Sequence, residues 1–152
     1  MQTVKNFIEN SNPGTIVGKT GKDTHLVFIT NESGISSVFE SVKAGLGNGS
    51  KGCLTLIYST SAYLSQPLYK AELESLERRF PSRLIIHYVF GRAQNARENL
   101  ESHQRVLEIV INSNTCMKMQ FLVAGQDEFS GMIIGRLKFL GITTNQIISQ
   151  II

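Results

Sequence analysis

Short apolar runs alternate along the chain with stretches whose apolar positions recur every three or four residues. Leu26 to Ile29, Leu54 to Tyr58, Leu84 to Phe90, Met119 to Val123 and Ile147 to Ile152 are the runs. They are too short for helices and read as strands buried on both faces. Between them, Val38, Phe39, Val42 and Leu46 mark one apolar helical stripe, with Ser36 or Ser37 placed to cap its first amides. Tyr69, Leu73, Leu76 and Phe80 mark a second, opened near Pro67 and closed by Pro81. Arg97 to Ile111, with Leu100, Leu107, Val110 and Ile111 on one side, forms a third. Phe129, Met132, Ile133, Leu137 and Leu140 form a fourth, stopped at Gly141. Strand and helix in alternation predict a parallel sheet with helices on both faces.

Ligands of such sheets sit beyond the carboxyl ends of the strands, so the turns after each strand carry the interest. These are Thr30 to Ser37, Ser59 to Ser65, Gly91 to Gln94 and Ala124 to Phe129. The first is a strand, a tight turn and a helix, an arrangement that presents free backbone amides and a positive helix end to a phosphate. Ahead of it, Val4 to Asn10 suits one or two helical turns before Asn12-Pro13-Gly14 and Gly18 to Gly21 break the pattern.

Composition narrows the picture. The 152 residues, 41% hydrophobic, supply one core-bearing domain. A formal charge of +3, from interspersed acids and bases, argues against a nucleic-acid partner. No run suits a membrane span and no apolar N-terminal segment suggests a signal peptide, so the expectation is a soluble cytoplasmic protein. Cys53 and Cys116 belong to no ligand cluster, and His25, His87 and His103 lack metal-ligand spacing, so no metal site and no catalytic residue is expected. No Gly-x-Ser-x-Gly elbow or phosphate-binding Gly-x-x-x-x-Gly-Lys loop is present. Tyr69 and Phe129 lie on apolar stripes and are assigned to core packing.

Three stretches, HLVFITNESGISSVFESVKAGL, LTLIYSTSAYLSQPLYKAELESLERRFPSRLIIHYVFGR and QFLVAGQDEFSGMIIGRLKFLGITTNQI, carry a family likeness. Their order and spacing resemble the pyridine-nucleotide domain of the ferredoxin NADP reductase family, most nearly the reductase components of phenylacetate and phenol hydroxylases. Val4-Lys-Asn-Phe-Ile resembles the tail of that family's flavin domain. The resemblance implies an α/β fold: a Rossmann-like three-layer sandwich around a five-stranded parallel sheet of order 3-2-1-4-5. It divides the chain into a lead-in, 1–24, and a nucleotide domain, 25–152. It implies binding of NAD(P)H, with hydride passing to FAD on an absent domain or an electron-transfer partner protein. The family's Arg-x-Tyr-Ser/Thr flavin signature is missing, so no self-sufficient activity is expected; the chain is a fragment of a longer flavoprotein or a stand-alone derivative.

Carried over by position, the cofactor-binding residues are Thr30, Ser33, Gly34, Ile35, Ser36, Ser59, Thr60, Arg92, Ala124, Gly125 and Gln126. Four features depart from the family. Its two leading glycines are Asn31 and Glu32, its turn proline is Ser37, its Cys-Gly-Pro is Ala124-Gly125-Gln126, and its terminal Glu and aromatic are Gln150 and Ile152. A Glu32 carboxylate facing a phosphate about 4 Å away would repel it by roughly 4 kcal/mol at an intermediate dielectric, whereas an outward one would cost little. No acid follows the second strand to take a ribose hydroxyl, which tilts the reading toward NADPH. The alternative reading is a non-catalytic Rossmann-like module for protein interaction or small-ligand binding.

Overall fold

The computed structural model describes residues 24–47, 52–61, 66–90 and 96–151. In chain order the elements are β1 (Thr24–Asn31), α1 (Ile35–Gly47), β2 (Cys53–Thr60), α2 (Lys70–Arg79) and β3 (Leu84–Phe90). They continue as α3 (Ala96–Asn112), β4 (Lys118–Gly125), α4 (Asp127–Phe139), a 3-10 turn (Thr144–Gln146) and β5 (Ile147–Ile151). The strands form one sheet of order β3-β2-β1-β4-β5, every neighbouring pair parallel. This is the Rossmann-like topology that the sequence led us to expect. Most of the expected lead-in, Arg92 and Ile152 lie outside the described residues. No helix among the described residues is long and apolar enough to cross a membrane.

Period-two alternation along each strand sends side chains to two cores. Leu26, Phe28, Leu54, Leu56 and Tyr58 meet Ile35, Val38, Val42, Leu73 and Leu76 from α1 and α2. Val27, Ile29, Ile57, Phe121 and Val123 meet Leu107, Val110, Ile133 and Leu137 from α3 and α4. Each fully buried side chain of this size contributes about 1.5–3 kcal/mol, so the stripes read from the sequence are the chief stabilising term.

The strands run beyond their apolar runs, and several of the polar side chains added at their ends find partners inside. His25 is buried at the start of β1. Its Nδ1–H donates to Asn114 Oδ1 at 3.1 Å, an oxygen fixed by the Cys116 amide, while the Thr55 hydroxyl donates to Nε2 at 2.6 Å. Burial pushes the His25 pKa below its ordinary value, with the Asn114 bond acting the other way. At the same end of the sheet, the Arg83 guanidinium donates to the Leu46, Gly45 and Gly52 carbonyls at 3.2, 3.5 and 3.3 Å. It thereby satisfies acceptors that the end of α1 leaves open.

Two helix starts differ from expectation. Helix α1 begins at Ile35, and the Gly34 carbonyl accepts from the Val38 amide at 3.1 Å. Ser36 and Ser37 therefore sit inside the first turn rather than capping it. Helix α2 begins at Lys70, preceded by Tyr69 in the left-handed region at φ 65°. That conformation is unfavourable for a bulky residue. Here the Tyr69 ring stacks on Phe39 at 4.7 Å, which holds the residue in place.

Candidate functional site

The register places Asn31 of β1 opposite Ser59 of β2, and Thr30 opposite Ala124 of β4. The three turns after these strands therefore open on one edge of the sheet. Chain order reverses direction at β1, which makes this edge the crevice where open α/β sheets take ligands.

Gly34 is what lets the β1 turn close. A Cβ there would lie 2.8 Å from the Ala124 carbonyl oxygen and collide with the Thr30 hydroxyl. That hydroxyl is itself committed, donating to the Ala124 oxygen at 2.9 Å. Asn31 tightens the turn through its Oδ1, which accepts from the Ser33 amide at 3.0 Å, and through its carbonyl, which accepts from the Gly34 amide at 3.1 Å. The amides of Ile35, Ser36 and Ser37 precede the first intrahelical bond of α1 and have no backbone acceptor among the described residues.

Glu32 resolves the question that its position raised. Its Oε1 accepts from the Thr60 hydroxyl at 2.6 Å, the Ser61 amide at 3.0 Å and the Ser61 hydroxyl at 3.4 Å. The carboxylate thus turns across the edge onto the end of β2, and these bonds hold its pKa below the ordinary value. Beneath it lies the fully buried Tyr58, whose phenol is pushed up to about 12, first by burial and then by the Glu32 charge.

A cleft of about 320 Å³ opens beside this contact, between the β1 and β2 tips and the helices α3 and α4. Ser33, Ser59, Thr60, His103, Phe129 and Met132 contribute to its walls. His103 is buried. Its Nδ1–H donates to the Asn99 carbonyl at 2.5 Å, so Nε2 accepts from the Ser59 hydroxyl at 2.9 Å. Desolvation lowers its pKa, with the Asn99 bond opposing, which keeps the ring neutral around pH 7. The Phe129 ring stands edge-on to His103 at 6.1 Å. Among the described residues no cluster of His, Cys, Asp and Glu is arranged to hold a metal ion.

The candidate residues take different places on this edge. Ser33, Ser59 and Thr60 line the cleft. Thr30, Ile35 and Ala124 are fully buried, the first as a tie between strands and the others in the core. Gly34 and Gly125 lie beneath the turns, where a Cβ on Gly125 would come within 2.7 Å of the Phe129 ring. Ser36 is exposed and accepts from the Tyr69 hydroxyl at 3.4 Å, and Gln126 precedes α4 as its exposed N-cap. Sequence reading missed Asn99, His103, Phe129 and Met132 as cleft residues, having assigned Phe129 to packing and noted of His103 only that it lacks metal-ligand spacing. The apolar stripe that marked Phe129 carries no sign that one side of its ring is open.

Against solved structures, the chain is similar to ferredoxin-NADP+ reductase from Plasmodium falciparum, with 21% identity, a TM-score of 0.65 and 86% of this chain matched to 53% of that one. The fold is ferredoxin reductase-like. The same fold matches the cytochrome b5 reductase domain of Ulva prolifera nitrate reductase, at 18% identity, TM-score 0.63 and 86% against 50% coverage. The CS-b5R domains of human Ncb5or, in an NAD+ form, match at 14% identity, TM-score 0.66 and 84% against 37% coverage. The Plasmodium falciparum enzyme is also known with 2'P-AMP. The chain thus spans about half or less of the length of these proteins. No family model matches the sequence, and no curated protein matches it.

Proposed function

We propose that the chain is the nicotinamide-nucleotide-binding domain of a flavin-dependent oxidoreductase, receiving NAD(P)H at the carboxyl edge of its sheet. The observation that carries this reading is the Gly34 turn. A glycine pressed on the Ala124 carbonyl brings the start of α1, with its free amides, to the switch point of a sheet with reductase topology. The fold likeness and the partial coverage of each reductase support it. These residues fit a dinucleotide backbone: amides of Ile35 to Ser37 for the pyrophosphate, and the cleft along the β1 and β2 tips for the adenosine half.

The bound nicotinamide would supply a hydride, and the acceptor flavin would reside on a further domain or partner protein. The part of this chain is to bind and orient. Ala124, Gly125 and Gln126 offer only backbone and an amide where β4 ends, with no ionisable side chain to exchange a proton with the ring. Calorimetric titration of the full chain with NADH, NADPH, NAD+ and ADP-ribose tests the reading. Saturable micromolar binding is expected, and silence at millimolar ligand would overturn it.

A further inference from the structure

We infer that Ser59 and His103 form a nucleophile and its general base, giving the cleft a hydrolytic activity toward small aromatic carboxylic esters. This activity is separate from nucleotide binding, and neither reading depends on the other.

Ser59 stands next to the end of β2 at the carboxyl edge of the sheet, while His103 and Asn99 lie one turn apart on α3. The Ser59 hydroxyl donates to His103 Nε2 at 2.9 Å, and the Nδ1–H across the ring donates to the Asn99 carbonyl. A hydroxyl held on an imidazole whose other nitrogen is fixed by an acceptor is the arrangement that activates serine, and it is recognised by contacts rather than by chain order. Here a helix carbonyl takes the orienting place. The His103 ring is only 3% exposed and has Phe129 edge-on to it, so its orientation is set before any substrate enters. Ser59 by contrast is half-buried and lines the cleft of about 320 Å³, a volume at the small end of ligand sites. Phe129 and Met132 offer an apolar wall for an aromatic group, and the Asn31 amide and Ser33 hydroxyl on the same lining are donor types that can meet an oxyanion. Burial keeps the imidazole neutral, the state in which it can take a proton. Glu32 is the other titratable group among the described residues of the lining, and its Oε1 is engaged by Thr60 and Ser61.

In the first step Ser59 Oγ bonds to the ester carbonyl carbon as its proton passes to His103 Nε2. The bond from that carbon to the leaving oxygen breaks, and His103 returns the proton to the departing alcohol. A water then gives its proton to the same nitrogen and attacks the acyl carbon, releasing the carboxylic acid and restoring the Ser59 hydroxyl.

The test treats the full chain with an alkyl fluorophosphonate, which loses fluoride to an activated serine, and follows hydrolysis of 4-nitrophenyl acetate. Peptide mass spectrometry is expected to place a single phosphonyl group on Ser59. Ser59→Ala should lose both the adduct and the ester hydrolysis above buffer. His103→Gln and His103→Asn, with folding verified by circular dichroism, should slow the labelling of Ser59 by about a hundredfold. An unlabelled wild type, an adduct on another residue, or histidine variants labelled as fast as the parent would overturn the inference and reduce the Ser59 contact to a tie that satisfies a buried ring.

Discussion

Replacing Gly34 with alanine should be among the most damaging single-methyl additions the chain can suffer. The new Cβ would sit 2.8 Å from the Ala124 carbonyl oxygen and against the Thr30 hydroxyl, both fixed in the sheet. Neither neighbour is the free end of a flexible side chain, so the β1 turn must lift away from β4. Overpacking of this kind costs about 1–3 kcal/mol. Disturbing the Thr30 bond to Ala124 adds about 0.5–1.5 kcal/mol, for a total of roughly 2–4 kcal/mol. For a domain of this size that corresponds to a fall in Tm of about 5–15 °C. Gly131 and Gly135 provide the comparison, since a Cβ on either meets nothing within 4 Å on α4. Alanine at those positions should stabilise by about 0.4–1 kcal/mol each, through helix propensity and a less free unfolded chain. Thermal and urea unfolding of the three variants supply the measurement. A Gly34→Ala protein melting within about 2 °C of the parent would refute the close approach of the β1 turn to β4.

Three further outcomes follow from the same contacts. Burial lowers the pKa of His25, His87 and His103 from 6.5, so below that pH the unfolded chain takes up protons that the folded rings refuse. Stability should decline as pH falls from about 6.5 until the folded rings titrate; equal urea midpoints at pH 8 and pH 5 would contradict this. Glu32 has a depressed folded pKa, so its contribution is present above 4.5 and is lost as pH falls through the folded value. A carboxyl NMR titration should place Glu32 below the ordinary glutamate value of 4.5, and an unshifted midpoint would rule out its bonds to Thr60 and Ser61. Arg83→Met, which removes the donors to the last carbonyls of α1, should cost about 1–2 kcal/mol in chemical denaturation. A neutral result would show that solvent satisfies those acceptors equally well.

The fold was legible because its signals are local. Apolar runs such as Leu26 to Ile29 and stripes such as Val38, Phe39, Val42 and Leu46 state their period within one element, and alternation then dictates a parallel sheet. Strand ends were less legible, since His25 and Thr55 enter the core only by virtue of each other and of Asn114, which lies 89 residues from His25. At the site, Gly34 announced itself through the turn around it. The Ser36 and Ser37 cap failed because Gly34 occupies the position before the helix, a matter of one or two residues that propensity does not settle. The direction of Glu32 could not be read at all. It depends on the parallel register that sets Asn31 beside Ser59, and sequence offers either an inward or an outward carboxylate until that register is known. The pairing of Ser59 with His103, 44 residues apart, is hidden for the same reason.

The bridge from Glu32 to Thr60 and Ser61 also bears on how quickly a ligand can be captured. The ends of β1 and β2 are joined through these bonds before a ligand of the kind proposed above arrives, so little ordering of Glu32, Thr60 and Ser61 remains for the encounter. Association should then be governed by diffusion and orientation rather than by a slow closing step, with selectivity expressed in how long each visitor stays.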